Sequence, residues 1–202
     1  CIRDRIYILN GLKIRKLYQE KSPLNLSESY EAIGELYALK SDYVKAEKYY
    51  LDSLNIKEKV YKDNKIQLYD TYLDLGIFYK EKGDFDNAEK YFLKTLEISK
   101  DDSYEYKDID IYYTYLWLGD LYKLSGDSKK AEYYYLLSLK NIDSIKNEAD
   151  KETIKFEIFY TLGRFYTDQG LFDKALDNAQ NALKISLDLF GIENKNYLNS
   201  LD

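Results

Sequence analysis

Apolar and polar positions along this chain recur in step with four glycines, Gly34, Gly76, Gly119 and Gly163, spaced 42, 43 and 44 residues apart. Each glycine follows an apolar residue (Ile33, Leu75, Leu118, Leu162). Each has an aromatic four positions earlier (Tyr30, Tyr72, Tyr115, Phe159) and a tyrosine three positions later (Tyr37, Tyr79, Tyr122, Tyr166). Such offsets lie on one face of a helix. Twelve positions after each glycine stands an alanine: Ala46, Ala88, Ala131 and Ala175. A glycine inside a helix costs roughly 1 kcal/mol relative to alanine, so four at one register need a packing reason. The register predicts a second helix crossing so closely that a Cβ would clash. The pattern is an internal repeat.

The order aromatic, Leu-Gly, Tyr, Ala, aromatic resembles the tetratricopeptide repeat, a helix-turn-helix unit. Residues 69–98, 113–139 and 156–185 carry it most fully, with an inter-helix turn at Gly83-Asp84. The period exceeds the usual one of about 34 and is similar to the longer-helix variety of kinesin light chains and many bacterial proteins. The resemblance implies an all-α fold: a right-handed α-solenoid of antiparallel helix pairs with no β-sheet. Four repeats are expected over 27–62, 65–101, 106–147 and 150–191. Residues 1–21 read as the second helix of a preceding repeat, with Gly11, Leu12 and Ile14 in the slots of Ser53, Leu54 and Ile56. Residues 194–202 read as the start of a following one. Neither end has the polar outer face of a capping repeat, so a piece of a longer protein is expected. Three departures stand out. Ser41 takes the turn position of Gly83, Gly126 and Gly170. Ala179 stands where Tyr50, Phe92 and Tyr135 give bulk, so the fourth repeat should pack more thinly. Pro23, the only proline, is expected between helices.

Composition narrows the function. The 24 tyrosines supply much of the bulk, and their hydroxyls are expected at helix boundaries near solvent. No apolar run approaches the ~20 residues of a membrane span, and no secretory signal is visible. A net charge of −6 argues against nonspecific binding to nucleic acid or anionic membrane, which need a basic face. A cytoplasmic location is expected. Cys1, the single cysteine, excludes an intrachain disulfide; a lipoprotein acylated there is the alternative to a sequence that merely starts at that point. Asn25-Leu26-Ser27 fits the glycosylation triplet, a pattern that also arises by chance.

No catalytic constellation is legible. Histidine is absent, removing the commonest general base and metal ligand, and Cys1 has no such base beside it. The glycines form neither a P-loop nor a dinucleotide motif. Asp84 and Asp127, at inter-helix turns, read as helix N-caps. Residues 100–110 lack the glycine and spacing of a calcium loop and read as a solvated linker. No enzyme activity, metal or cofactor is expected.

A partner-binding face follows from helical geometry. Numbering each first helix from seven residues before its glycine, positions 4, 7, 8 and 11 form the core stripe, at about 100° per residue. Positions 2, 5, 9, 12 and 13 lie on another face, which lines the concave, peptide-binding groove in the family the chain resembles. Here they are Glu28, Glu31, Glu35, Ala38 and Leu39; then Asp70, Leu73, Ile77, Lys80 and Glu81; then Tyr113, Leu116, Asp120, Lys123 and Leu124; then Glu157, Tyr160, Arg164, Thr167 and Asp168. Eight carboxylates face three cations, and a concave surface of one sign steers an opposite charge toward it. A charged stripe is equally the solvated face of a helix. The interleaved apolar residues are what solubility alone does not require. They suit a basic and apolar peptide or helix. Trp117, the only tryptophan, is turned about 200° from core Tyr115 by the helical pitch and is either packed on the preceding repeat or a groove-wall anchor.

Chaperone-adaptor members of the family hold an acidic tail with Lys and Asn, where this chain offers Glu31, Glu35, Asp74, Tyr113 and Trp117. An acidic tail should be repelled. The sequence therefore reads as a non-catalytic protein-interaction scaffold. The alternative is a regulatory or substrate-recruiting segment of a larger enzyme, such as a sensor kinase or caspase-like protease. Self-association through the array ends is a further expectation.

Overall fold

A computed structural model describes residues 22–101, 103–104 and 106–190. Among them are eight α-helices and no strand. They are α1 (Pro23–Ala38), α2 (Tyr43–Val60), α3 (Tyr69–Lys82), α4 (Phe85–Ser99), α5 (Lys107–Ser125), α6 (Ser128–Asn141), α7 (Glu148–Asp168) and α8 (Phe172–Phe190). The all-α class expected from the repeat is what forms. The readings of residues 1–21, with Cys1, and of 194–202 lie outside the described residues.

Each odd-numbered helix is joined to the next by the same turn. The N–H groups of Asp42, Asp84, Asp127 and Leu171 donate to the carbonyls of Tyr37, Tyr79, Tyr122 and Tyr166, each at 2.9 Å. Closing the helix this way puts one residue in the left-handed region. Gly83, Gly126 and Gly170 have φ of 81°, 86° and 72°, and Ser41 takes φ 58°. The serine keeps the conformation, at a cost of about 1–2 kcal/mol. The next residue begins the second helix. Carboxylates of Asp42, Asp84 and Asp127 accept from the N–H of Lys45, Asn87 and Lys130 at 3.3, 3.2 and 3.1 Å, the capping role read from the sequence for Asp84 and Asp127. Leu171 takes this place in the fourth pair. Pro23 is not between helices: it opens α1, where a missing N–H would be unpaired anyway.

The recurring glycines are explained by side chains rather than by crossing backbones. A Cβ on Gly76 or Gly119 would lie 2.5 Å from ring carbons of Phe92 or Tyr135, and one on Gly34 3.2 Å from the ring of Tyr50. In three pairs the second helix thus lays its own ring in the notch of the first. At Gly163 the nearest atom to a Cβ is the Ala175 carbonyl oxygen at 3.6 Å, because Ala179 carries no ring. The tyrosine one residue earlier, at Tyr49, Tyr91 and Tyr134, stacks on Tyr37, Tyr79 and Tyr122 with centroids 5.7, 5.5 and 5.4 Å apart. It also tilts against Tyr30, Tyr72 and Tyr115 at 5.8, 6.1 and 6.2 Å. In the fourth pair that position is Asn178.

Packing divides the chain between Ile98 and Ser99 into two compact units. In the first, Phe78 of α3 packs on Tyr50 of α2, centroids 4.9 Å apart. Glu47 on α2 accepts from the Tyr79 hydroxyl at 2.8 Å and pairs with Lys82 at 2.7 Å. The second unit repeats the device. Phe165 of α7 packs on Tyr135 of α6 at 5.3 Å, and Glu132 accepts from Tyr166 and Lys174, both at 2.8 Å. Tyr72, Tyr112 and Tyr135 donate likewise to Glu58, Glu157 and Asp120 at 3.2, 2.9 and 2.6 Å. These hydroxyls end on carboxylates, not merely near solvent, because a phenol largely withdrawn from water needs a fixed acceptor. Burial and these anionic acceptors raise their pKa, that of Tyr72 to about 12.

Candidate partner-binding faces

Each predicted face lies on an odd-numbered helix, turned from the core. In the first unit Glu28, Glu35 and Asp70 are exposed, and Glu31, Leu73 and Ile77 are half-buried. Glu31 is partly consumed by the fold. It accepts from Ser53 Oγ at 2.9 Å and pairs with Lys57 Nζ at 2.6 Å, and both charged side chains are largely shielded. Lys57 also donates to Thr71 Oγ1 at 3.0 Å.

Beside that pair sits Asp74, which the face numbering had placed off the predicted stripe. Its side chain is reached by water, yet its carboxyl is raised to about 6, first by desolvation and then by Glu31, Asp70 and Glu35, with Lys57 opposing. The Tyr50 hydroxyl looks onto the same cluster: desolvation, then Glu35, Asp74, Glu81 and Glu31, push its pKa up. α1 and α3 therefore bring Glu31, Glu35 and Asp70 together around Asp74. Among the described residues no three acidic side chains converge as metal ligands do.

In the second unit Tyr113 and Asp120 of α5 are exposed, with Leu116 and Trp117 half-buried between them. Asp120 accepts from Tyr135, and Tyr113 lies 4.1 Å, centroid to centroid, from the buried Tyr112. Lys123 is answered by Asp168 at 2.5 Å, which holds the Asp168 carboxyl below the usual range. On α7, Tyr160 and Arg164 are exposed, the guanidinium 5.9 Å from the ring centre. They line a cavity of about 480 Å³ between α7 and α8, with Phe156, Gly163, Ala179 and Leu183. Ala179, flagged as thinning the fourth repeat, is where this space opens.

Paired helices, left-handed turns and glycine notches filled by rings define an α-helical repeat protein. The tetratricopeptide repeat family matches residues 25–101 and again 67–144, and the chain belongs to that family. A crystal structure of BtubC (BKLC) from P. vanneervenii shares the fold, with a TM-score of 0.65 at 22% identity. The match covers 84% of this chain and 66% of that one. No curated protein matches the chain. Tetratricopeptide repeats in general mediate protein–protein interaction and are typically non-catalytic. No helix among the described residues is long and apolar enough to cross a membrane.

Proposed function

We propose that this chain is a non-catalytic protein-interaction scaffold, and that the acidic face built by α1 and α3 takes a peptide or helix with basic and apolar side chains. The observation that supports this reading is the Asp74 cluster. Desolvation, and after it Glu31, Asp70 and Glu35, lift the Asp74 carboxyl to about 6, and half-buried Leu73 and Ile77 lie on the same helix. A cationic side chain entering there relieves repulsion that the fold leaves standing, and apolar neighbours bury against the leucine and isoleucine. In the second unit, Tyr113, Leu116, Trp117 and Asp120 offer the same mixture of aromatic and acidic groups.

The test is binding of a labelled peptide of Lys, Arg and Leu. Its affinity is expected to fall as salt passes about 0.15 M, where the screening length is about 8 Å. The double variant Glu35→Lys, Asp70→Lys should weaken it about tenfold or more, or 1.4 kcal/mol. Both residues are exposed, so the reversal spares the Glu31–Lys57 pair. Affinity indifferent to salt and to both reversals would remove the acidic face as the binding site.

A further inference from the structure

We infer that the face of α8 is a self-association surface, on which a second copy of this chain places Phe172 in the glycine notch that the fourth helix pair leaves empty. In three pairs the notch is filled from within, by Tyr50, Phe92 or Tyr135. In the fourth, Ala179 leaves the cavity of about 480 Å³, whose one charged lining residue among those described is Arg164. The missing occupant is therefore an aromatic ring with an acidic group beside it. The chain presents that pair itself. Phe172 is 70% exposed, and Asp173, the next residue, is exposed too.

On α8 the acceptor that ties a following helix pair is missing. At the two junctions within units, Glu47 and Glu132 accept the tyrosine hydroxyl of the next pair. The corresponding position on α8 is Leu176, 59% exposed, so a following tyrosine would meet no acceptor. Leu183 and Leu187 continue the same open stripe. An antiparallel two-fold arrangement satisfies every part at once, since a two-fold contact is reciprocal. Phe172 of each copy enters beside Ala179 of the other, Leu176 meets its counterpart near the axis, and Asp173 of each copy answers Arg164 of the other at the rim.

Sedimentation equilibrium on the 202-residue chain is expected to show a concentration-dependent species of twice 24.0 kDa. Ala179→Phe fills the notch as the other three pairs do, and should give a folded monomer with undiminished helicity and melting temperature. Phe172→Ala should weaken the dimer about tenfold or more. Asp173→Arg and Arg164→Asp should each weaken it, and the double swap should restore it. Four results would overturn the inference. They are a monomer at every concentration, a dimer that survives Ala179→Phe, a charge swap that fails to restore pairing, and a monomer that dimerises only once residues 191–202 are removed. The last would mean the chain's own following segment fills the notch.

Discussion

At the scale of single residues, the four glycines are not equivalent. Alanine at Gly76 or Gly119 gains roughly 1 kcal/mol of helix propensity, but its methyl would stand 2.5 Å from a ring that is itself enclosed. Overpacking costs about 1–3 kcal/mol and wins. Gly163→Ala meets nothing nearer than 3.6 Å and is expected to stabilise by up to about 1 kcal/mol. Urea denaturation of the three variants checks the order, and a Gly76→Ala protein as stable as its parent would remove the ring as the glycine's reason. The glycine register was legible because glycine is costly in a helix and so conspicuous. Its cause was only half legible: the sequence showed bulk at Tyr50, Phe92 and Tyr135 and its loss at Ala179, but not that those rings seat in the notches. The stacking of Tyr49, Tyr91 and Tyr134 went unread, because in a chain with 24 tyrosines one more at a fixed offset does not stand out.

At the scale of elements, successive helix pairs within a unit are tied by a glutamate that accepts a buried phenol. Tyr166 is 4% exposed, so Glu132→Leu strands its hydroxyl and frees Lys174, at a cost of about 1–3 kcal/mol. Hydrogen exchange should show α6 and α7 losing protection while α1 and α2 keep theirs, since repeat arrays are stabilised by local and neighbour terms. Equal loss everywhere would mean the link is not local. Helix geometry placed the predicted partner-facing residues on the open side of each first helix. It did not show that Glu31 and Asp120 are already engaged, because their partners Lys57 and Tyr135 come from the second helix, 26 and 15 residues away. Nor did it find Asp74, whose significance lies in charges gathered from two helices.

At the scale of the whole molecule, desolvation of Asp74 together with that gathered charge gives stability a pH dependence. The folded Asp74 binds its proton at about 6, against an ordinary value of 3.8. The native state therefore holds more protons than the unfolded one between those values, and stability from this group falls as pH rises through the window. Asp42, Glu132 and Asp168 act oppositely: lysine partners lower their pKa, and what they contribute is lost as pH falls below about 4. Asp74→Asn should accordingly raise the melting temperature at pH 7 and give no gain at pH 4. An increment equal at both pH values would rule out the ionisation of Asp74 as its source.

A glycine and the ring sixteen positions downstream set limits on one another. Where the ring is present, at Phe92 or Tyr135, the glycine has no freedom to drift, and any enlargement there must await a smaller residue on the opposite helix. Where Ala179 stands in place of a ring, position 163 escapes that limit. A side chain is therefore expected to be tolerated at position 163 where it is refused at 76 and 119, so the fourth helix pair is where substitution at the glycine register costs least.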